Sequence, residues 1–518
     1  MSTVKARVEH RIEQTDVALA NQVDALRRTA SEALDERRRA EMGQFMTPAP
    51  VARLMAAMFK DLSGEIHLLD AGAGVGSLSA ALVEEACRHS HQPTSITVNA
   101  YEPEATLARQ LEQTMALCSD VCARQGIAFS AKVFQEDFIE QATYMLSGNL
   151  FSDRIQPRIN RAILNPPYRK IHSESKERRL LRYVGIETSN LYTAFVALTV
   201  KLLEDGGELV AITPRSFCNG PYFKPFRKLL LSTMTLKHIH IFHARNKAFM
   251  EDAVLQENII FHAVKGRLAE RIIISSSICA KDPQIVRRTV HPREVVNPDD
   301  PDLVIHITTT EKEGNIALKA RSFPCSLKDL GIEVSTGRVV DFRAEKFIRE
   351  KPSETTVPLI YPGHFEDGFI TWPKLNGRKP NALVDNGDSA DLLVPSGTYV
   401  LVKRFTSKEE RRRVVAAVYD PQRFEAKRVG FENHLNYYHI NGEGMGRNVA
   451  KGLSMFLNSS LVDQYFRQFS GHTQVNATDL RSLRYPTREQ LKMMGNRVKN
   501  KMPEQGHIDA VIEEVLFS

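Results

Sequence analysis

Apolar runs of five to seven residues, each followed by a turn and a helical pattern, repeat from about residue 60 to 265. They are IHLLD (66–70), SITVNAY (95–101), the stretch near 128–134, INRAIL (159–164), GELVAIT (207–213), LKHIHIF (236–242) and NIIFHAV (258–264). Strands alternating with helices predict an α/β domain with a mostly parallel seven-stranded sheet covered on both faces, whose ligands sit at the carboxyl ends of the strands. Residues 1–40 predict one helix, because Ile12, Leu19, Leu26 and Ala33 recur every seven positions and Val23 and Ala30 fill the alternate seam, which Asp16 interrupts. Such a helix packs on its own domain, leaving a monomer, or joins two copies in a short coiled coil; the first is favoured. The Pro-rich and charged segment 283–325 predicts a connector with a short strand at LVIHITT (303–309). Beyond it, short β-like runs broken by Gly and Pro, then a helical stretch at 447–468, predict an α+β second domain. The expected divisions are 1–40, 41–325 and 326–518.

Composition narrows the class without deciding it. The chain has 518 residues, 42% hydrophobic and 25% charged, enough for two or three domains with real cores. Six cysteines are scattered without a secretory leader, and no eighteen apolar residues run together, so the expectation is a cytoplasmic protein without a membrane segment. The net charge of +7 permits a polyanionic partner and does not require one. Cys118 and Cys122 have the spacing of half a metal site, but no second pair completes it, so no metal is expected. His238, His240 and His243 alternate near a strand end and read as polar residues of an edge strand.

Four short motifs fall where strands end. Asp70-Ala-Gly72-Ala-Gly74-Val-Gly76 follows the first strand, where glycines let the chain turn tightly and a ligand approach main-chain N–H groups. Glu102 closes the second strand, where a carboxylate can accept both hydroxyls of a ribose. Asp137 and Phe138 close the third, pairing a carboxylate that can accept an amino hydrogen with a ring that can stack on a purine. The most specific is Asn165-Pro166-Pro167-Tyr168, at the end of the fourth strand. Its prolines fix φ and supply no N–H, holding an amide and a carbonyl in a rigid, acceptor-rich crook. A planar exocyclic amine is a poor nucleophile because its lone pair is delocalised into the ring. Acceptors at the Asn165 side-chain oxygen and the Pro166 main-chain oxygen would draw that nitrogen toward tetrahedral geometry, while Tyr168 stacks on the ring.

The order of these motifs, with GQFMTP (43–48) ahead and NLYTAFVALTVKLLEDGGELVAITPRSF behind, resembles the gamma class of S-adenosylmethionine-dependent DNA adenine-N6 methyltransferases of type II restriction–modification systems, strongly over 41–265. The resemblance implies a Rossmann-like methyltransferase domain and a C-terminal target-recognition domain. It implies that Phe45, Thr47 and Pro48 close over the methionine end of S-adenosylmethionine, that Asp70, Gly72, Gly74 and Gly76 hold its methionine and ribose, Glu102 its ribose hydroxyls, and Asp137 with Phe138 its adenine. Asn165, Pro166, Pro167 and Tyr168 would form the pocket for a flipped adenine. A late aromatic packs on that base in such enzymes; Phe261 is the candidate here, with Phe249 competing. The implied partners are double-stranded DNA and a cognate restriction endonuclease acting without a stable complex.

For the second domain, LGIEVSTGRVVDFR (330–343), LIYPGHF (359–365) and 456–486 are similar to target-recognition regions of that class. Independently, 403–413 holds six Lys or Arg against two Glu, with Phe405, Phe424, Phe431, Tyr437 and Tyr438 nearby. Such interleaving suits phosphate contact and base stacking, and points to Lys403, Arg404, Arg411, Arg412, Arg413, Lys427 and Arg428. Arg338 and Arg343 are candidates for reading base edges. Two rivals remain: an N-methyltransferase of rRNA or a protein glutamine, and an inactive DNA-binding specificity protein. The length of the second domain disfavours the first, and the intact NPPY, Asp70 and Glu102 disfavour the second.

Overall fold

The computed structural model describes residues 18–33, 46–147, 158–242, 257–266, 269–282, 284–374, 377–406, 410–469 and 474–517. The chain forms two compact units, Met1–Thr309 and Thr310–Ser518. The division thus falls before 325, because a helix at Glu311–Arg321 in the expected connector packs within the second unit, where Gln468 Nε2 donates to Glu313 O at 2.8 Å.

In the first unit, strands β1 (Gly64–Ala71), β2 (Pro93–Tyr101), β3 (Ala128–Phe134), β4 (Arg161–Leu164), β5 (Glu208–Pro214), β6 (Met234–Phe242) and β7 (Asn258–Lys265) coincide with the seven apolar runs. The sheet is larger and more mixed than a mostly parallel set of seven. It has nine strands in the order β3-β2-β1-β4-β5-β7-β6-β8-β9, with β8 (Ile272–Ser277) parallel to β6 and β9 (Val286–Val290) antiparallel to β8. β7 runs antiparallel to both β5 and β6. The last strand eluded the pattern because VRRTV is an exposed edge with two arginines. LVIHITT forms no strand, only an isolated bridge between Val296 and Ile305.

Both faces are covered. On one lie α1 (Ala18–Ala33), α2 (Ala49–Ala56), α3 (Ser77–Arg88) and α4 (Ala105–Arg124); on the other, α5 (Phe138–Leu146), α6 (Lys176–Tyr183), α7 (Leu191–Leu202) and α8 (Lys224–Thr233). The N-terminal helix is spent on its own unit. Leu19, Val23 and Ala30 are buried there, Ala20 N donates to Glu84 Oε2 at 2.8 Å, and Asp24 accepts from Ala49 N at 3.1 Å, so the apolar seam over 18–33 is not open to a second copy. His238 and His240 are not on an edge: β6 lies between β7 and β8, and both imidazoles are buried against Ser275 at 2.7 and 2.8 Å. His243 lies outside the described residues.

The second unit contains a six-stranded and a five-stranded sheet. Its helices pack closely where Gly452 faces Gly495. A Cβ at either would meet backbone oxygen at 1.8 Å, which excludes any side chain from that crossing. The helical stretch resolves into Arg447–Leu457 and Ser460–Phe469. Among the described residues no helix is long and apolar enough to cross a membrane, and no three His, Cys, Asp or Glu are grouped to hold a metal.

Candidate active site

β1 lies between β2 and β4, so the loops leaving β1 and β4 diverge at the point where strand order reverses, the usual crevice for a ligand in an open α/β sheet. The glycine loop is laid across the end of β2: Gly72 N and Ala73 N both donate to Tyr101 O at 2.9 Å. Gly76 begins α3 at φ 85°, a conformation that favours glycine, and a Cβ there would come within 2.7 Å of Leu111 Cδ1. Asp70 lies fully buried, its Oδ2 accepting from Ser79 Oγ at 2.6 Å while Oδ1 has no hydrogen-bond partner among the described residues. Burial pushes its carboxyl up to about 6. Glu102 accepts from Gly74 N through Oε2 and from Glu104 N through Oε1, each at 3.0 Å. Burial, outweighing these two N–H donors, lifts it to about 7.

Asn165 follows β4 directly. Its Nδ2 donates to Thr47 Oγ1 at 2.9 Å, and its Oδ1 accepts from Tyr168 Oη at 3.1 Å. The Tyr168 ring packs edge-on to Tyr192 at 6.2 Å, and burial raises its phenol well above the usual range. Pro166 is buried and Pro167 half-buried. Asp137 caps α5 by accepting from Glu140 N at 3.1 Å, and burial raises its carboxyl.

One cavity opens among these residues, and Asp70, Gly76, Pro166 and Tyr168 are not part of its lining. Gly72, Gly74, Glu102, Asp137, Thr47, Asn165 and Pro167 line it, together with the apolar side chains of Met46, Pro103, Leu107, Ile139 and Phe195. Residues from all four strand-end motifs, distant in sequence, are therefore brought to one chamber. Phe45 lies outside the described residues, and Pro48 precedes α2 as its cap residue.

The Eco57I restriction-modification methylase family matches residues 135–249, which include the NPPY motif. The type II methyltransferase M.PstI of Providencia stuartii is 47% identical over 504 residues, 97% of this chain and 98% of that protein. M.BsuBI of Bacillus subtilis is 45% identical over 96% of this chain and 98% of that protein. This chain belongs to the type II methyltransferases. Its fold is similar to that of the type IIL restriction–modification enzyme MmeI, solved in complex with DNA, with a TM-score of 0.54 and 12% identity over 90% of this chain and 72% of that one.

Several expected positions in this methyltransferase are corrected by the structure. Phe261 sits mid-strand on β7, 1% exposed against Phe217 at 5.6 Å, so its ring belongs to the core and cannot reach a base in the cavity. Phe249 lies outside the described residues. Phe138 is wedged between Tyr101 and Phe195, at 5.4 and 5.2 Å, and the next residue, Ile139, faces the cavity in its place. A helix start turns consecutive side chains by about 100°, which one motif letter cannot resolve. Arg413 is fully buried: its backbone N donates to Asp463 Oδ1 at 2.6 Å and its guanidinium to Thr406 O. It is out of reach of a phosphate. Arg412 is half-buried on Asn458 O, and Lys403 and Arg404 are half-buried, whereas Arg338, Arg343, Arg411, Lys427 and Arg428 are exposed. Phe431, Tyr437 and Tyr438 are core residues and Phe424 packs on them; only Phe405 is exposed, at 44%.

Other cavity residues were not singled out from sequence. Leu191 and Phe195 face it one helical turn apart on α7, a spacing visible in NLYTAF. Arg169, next after the NPPY motif, lines it with Glu177, the two paired at 3.7 Å.

Proposed function

We propose that this methyltransferase transfers a methyl group from S-adenosylmethionine to N6 of an adenine flipped out of a specific duplex DNA sequence, in the cytoplasm, protecting that DNA from a cognate restriction endonuclease. One observation carries the reading: Asn165 opens onto the same cavity as Glu102 and the glycine loop, so an amine held by Asn165 faces a group held by the loop. The near full-length likeness to type II methyltransferases supports it.

The donor set fits the cofactor. Asp70 Oδ1 is a buried oxygen that has no hydrogen-bond partner among the described residues, Glu102 offers a carboxylate on the cavity wall, and Pro103, Leu107 and Ile139 supply apolar lining to the cavity that Asp137 also lines. Gly72 and Gly74 would hold the methionine and ribose, Glu102 the ribose hydroxyls and Asp137 the purine amino group. When bound, the cofactor supplies an electrophilic methyl on a sulfonium whose charge vanishes on transfer, a change that a partly apolar chamber favours.

The chain's own contribution is positioning. Adenine N6 is paired and sheltered within the duplex, so the base must leave the stack. Asn165 Oδ1 and Pro166 O accept the two amine hydrogens and free the lone pair, Tyr168 supplies a stacking face, and alignment of nitrogen and methyl provides most of the rate. No covalent enzyme intermediate is required, since nitrogen attacks the methyl directly and loses its proton during or after transfer. Target reading falls to the second unit, where the exposed Arg338, Arg343, Arg411, Lys427 and Arg428 suit backbone and base-edge contacts.

The test is long-read sequencing of DNA from a methylation-free bacterial host expressing the chain, beside Asn165→Ala. N6-methyladenine in one short motif, lost in the variant while the purified variant still binds S-adenosylmethionine, supports the reading. Cofactor binding without any modified DNA base overturns it and favours an RNA or protein acceptor.

A further inference from the structure

Thr47 stands out because it is buried, polar and turned toward Asn165, across 118 residues of sequence. It immediately precedes Pro48, the cap of α2, and Met46 and Thr47 both line the cavity. The resemblance assigns this segment to the cofactor, yet the hydrogen bond that the Thr47 hydroxyl makes is to the other half of the site. Its Oγ1 accepts from Asn165 Nδ2 at 2.9 Å.

A primary amide has two nearly isosteric ends with opposite hydrogen-bonding character, and the chemistry proposed above needs one of them. The carbonyl oxygen must face the acceptor amine, because the NH2 end would set donor against donor. The prolines at 166 and 167 fix the backbone beside Asn165 but not the side-chain amide, which the Tyr168 hydroxyl on Oδ1 orients from the oxygen end. An acceptor placed opposite Nδ2 holds the same orientation from the nitrogen end. Thr47 is such an acceptor, and 4% exposure leaves little water to compete for the amide hydrogen.

We propose that Thr47 is a positioning residue for methyl transfer: its hydroxyl holds the Asn165 amide with the oxygen toward the target amine. The segment that closes one side of the cavity thereby also sets the catalytic amide. The inference rests on the reading of Asn165 as the amine-holding group. Val at 47 keeps the branched shape and removes the acceptor, Ala removes both shape and acceptor, and Ser keeps the acceptor alone.

The experiment measures DNA methylation kinetics, S-adenosylmethionine affinity by calorimetry and thermal unfolding for wild type, Thr47→Val, Thr47→Ala and Thr47→Ser, with Asn165→Ala as a control. The expected result is a kcat about tenfold to thirtyfold lower in Thr47→Val at saturating cofactor and DNA, with cofactor affinity within about threefold of wild type, and recovery in Thr47→Ser to within about threefold. Thr47→Ala reports the same loss if the Val variant does not fold. Three outcomes overturn the proposal: an unchanged kcat in both Val and Ala variants, a Ser variant as slow as Val, or a loss confined to cofactor affinity. If wild type and Asn165→Ala methylate DNA equally, the underlying reading of Asn165 fails instead, and the control separates the two failures.

Discussion

The hydroxyl of Tyr168 donates to the side-chain oxygen of Asn165 at 3.1 Å, so the acceptor proposed to receive the target amine is already engaged by the ring proposed to stack on the base. An amide oxygen has two lone pairs, so an incoming amine shares it with that hydroxyl or displaces it. Ile212 O, 3.4 Å from the same Tyr168 oxygen, offers it a second acceptor, so the exchange need not leave a buried hydroxyl without a partner.

The ring and the hydroxyl of Tyr168 therefore have separable effects. Tyr168→Phe removes the competing donor and keeps the ring, and is expected to retain methyl transfer within about threefold of wild type. Tyr168→Ala removes the stacking face, whose contribution of about 1–3 kcal/mol corresponds to a loss of about fivefold to 150-fold in kcat/KM for DNA. Steady-state kinetics on a duplex carrying the modified motif compares the two. A Phe variant as impaired as the Ala variant would show that the hydroxyl, not the ring, matters.

Glu102 predicts a pH dependence of cofactor affinity. Burial lifts its carboxyl from an ordinary 4.5 to about 7, so near neutrality the folded protein holds a proton that the unfolded chain has lost. For stability the sign is unfavourable with rising pH: this group's contribution declines as pH climbs from 4.5 toward 7. For binding the sign reverses, because ribose hydroxyls donate to the ionised form. Wild-type affinity relative to Glu102→Gln, whose amide does not titrate, should rise between pH 6 and 8 and flatten above about 7, by up to about tenfold per unit on the rising side. Calorimetric titrations of both proteins at pH 6, 7 and 8 give this ratio; a constant ratio removes Glu102 from the cofactor site.

Much of this site was legible because its chemistry is concentrated at strand ends. Asp70, Glu102, Asp137 and Asn165 each close an apolar run, and parallel neighbours in a sheet bring such ends together whatever their separation in sequence. What escaped depends on which way a side chain turns. The exchange of Phe138 for Ile139 is a one-residue rotation at a helix start, and the loss of Phe261 to the core follows from the alternation of β7, which turns its ring to the sheet face packed by Phe217. β9 escaped because an edge strand carries polar residues, as Arg287 and Arg288 show, whereas β8, buried between β6 and β9, escaped because its second half is three serines. The histidines misled in the opposite sense: polar letters in LKHIHIF suggested an edge, whereas serines on β8 satisfy them within the sheet.

That buried arrangement makes His238 an acid-sensitive point in the first unit. Its Nε2 pairs with Ser275 Oγ at 2.7 Å and its Nδ1 has no partner. Desolvation chiefly, with His240, His262, Lys60 and Arg287 adding like charge, lowers it from 6.5 to about 3. Between those values the unfolded chain binds a proton that the folded protein refuses, so stability falls as pH drops below 6.5 toward 3. From pH 7.5 to 5 the loss from this group is about 2 kcal/mol. Urea unfolding of wild type and His238→Gln at both pH values checks it: the variant should lose that much less on acidification, whatever its stability at pH 7.5. Equal losses in both proteins would mean that His238 does not titrate between the folded and unfolded states in this range.

Arg413 offers the sharpest contrast between a basic run and its folded position. In 403–413 it is one of six cations, but the fold buries it, with its backbone N on Asp463 Oδ1 and its guanidinium on Thr406. Removing a buried, hydrogen-bonded guanidinium leaves its acceptors without a donor, and a buried polar group left unsatisfied costs about 1–3 kcal/mol. Arg413→Ala is therefore expected to lower the unfolding temperature of the second unit by several degrees. Where it remains folded, it should leave the slope of log Kd for DNA against log salt concentration unchanged. Arg411→Ala, at an exposed position in the same run, should do the reverse if that face meets the phosphate backbone: little change in unfolding temperature, and a salt slope shallower by about one unit. Fluorescence anisotropy with a labelled duplex over a salt series, with thermal melts of the same samples, measures both. A reduced salt slope in Arg413→Ala at full stability would require the guanidinium to reach solvent, contrary to the packing described.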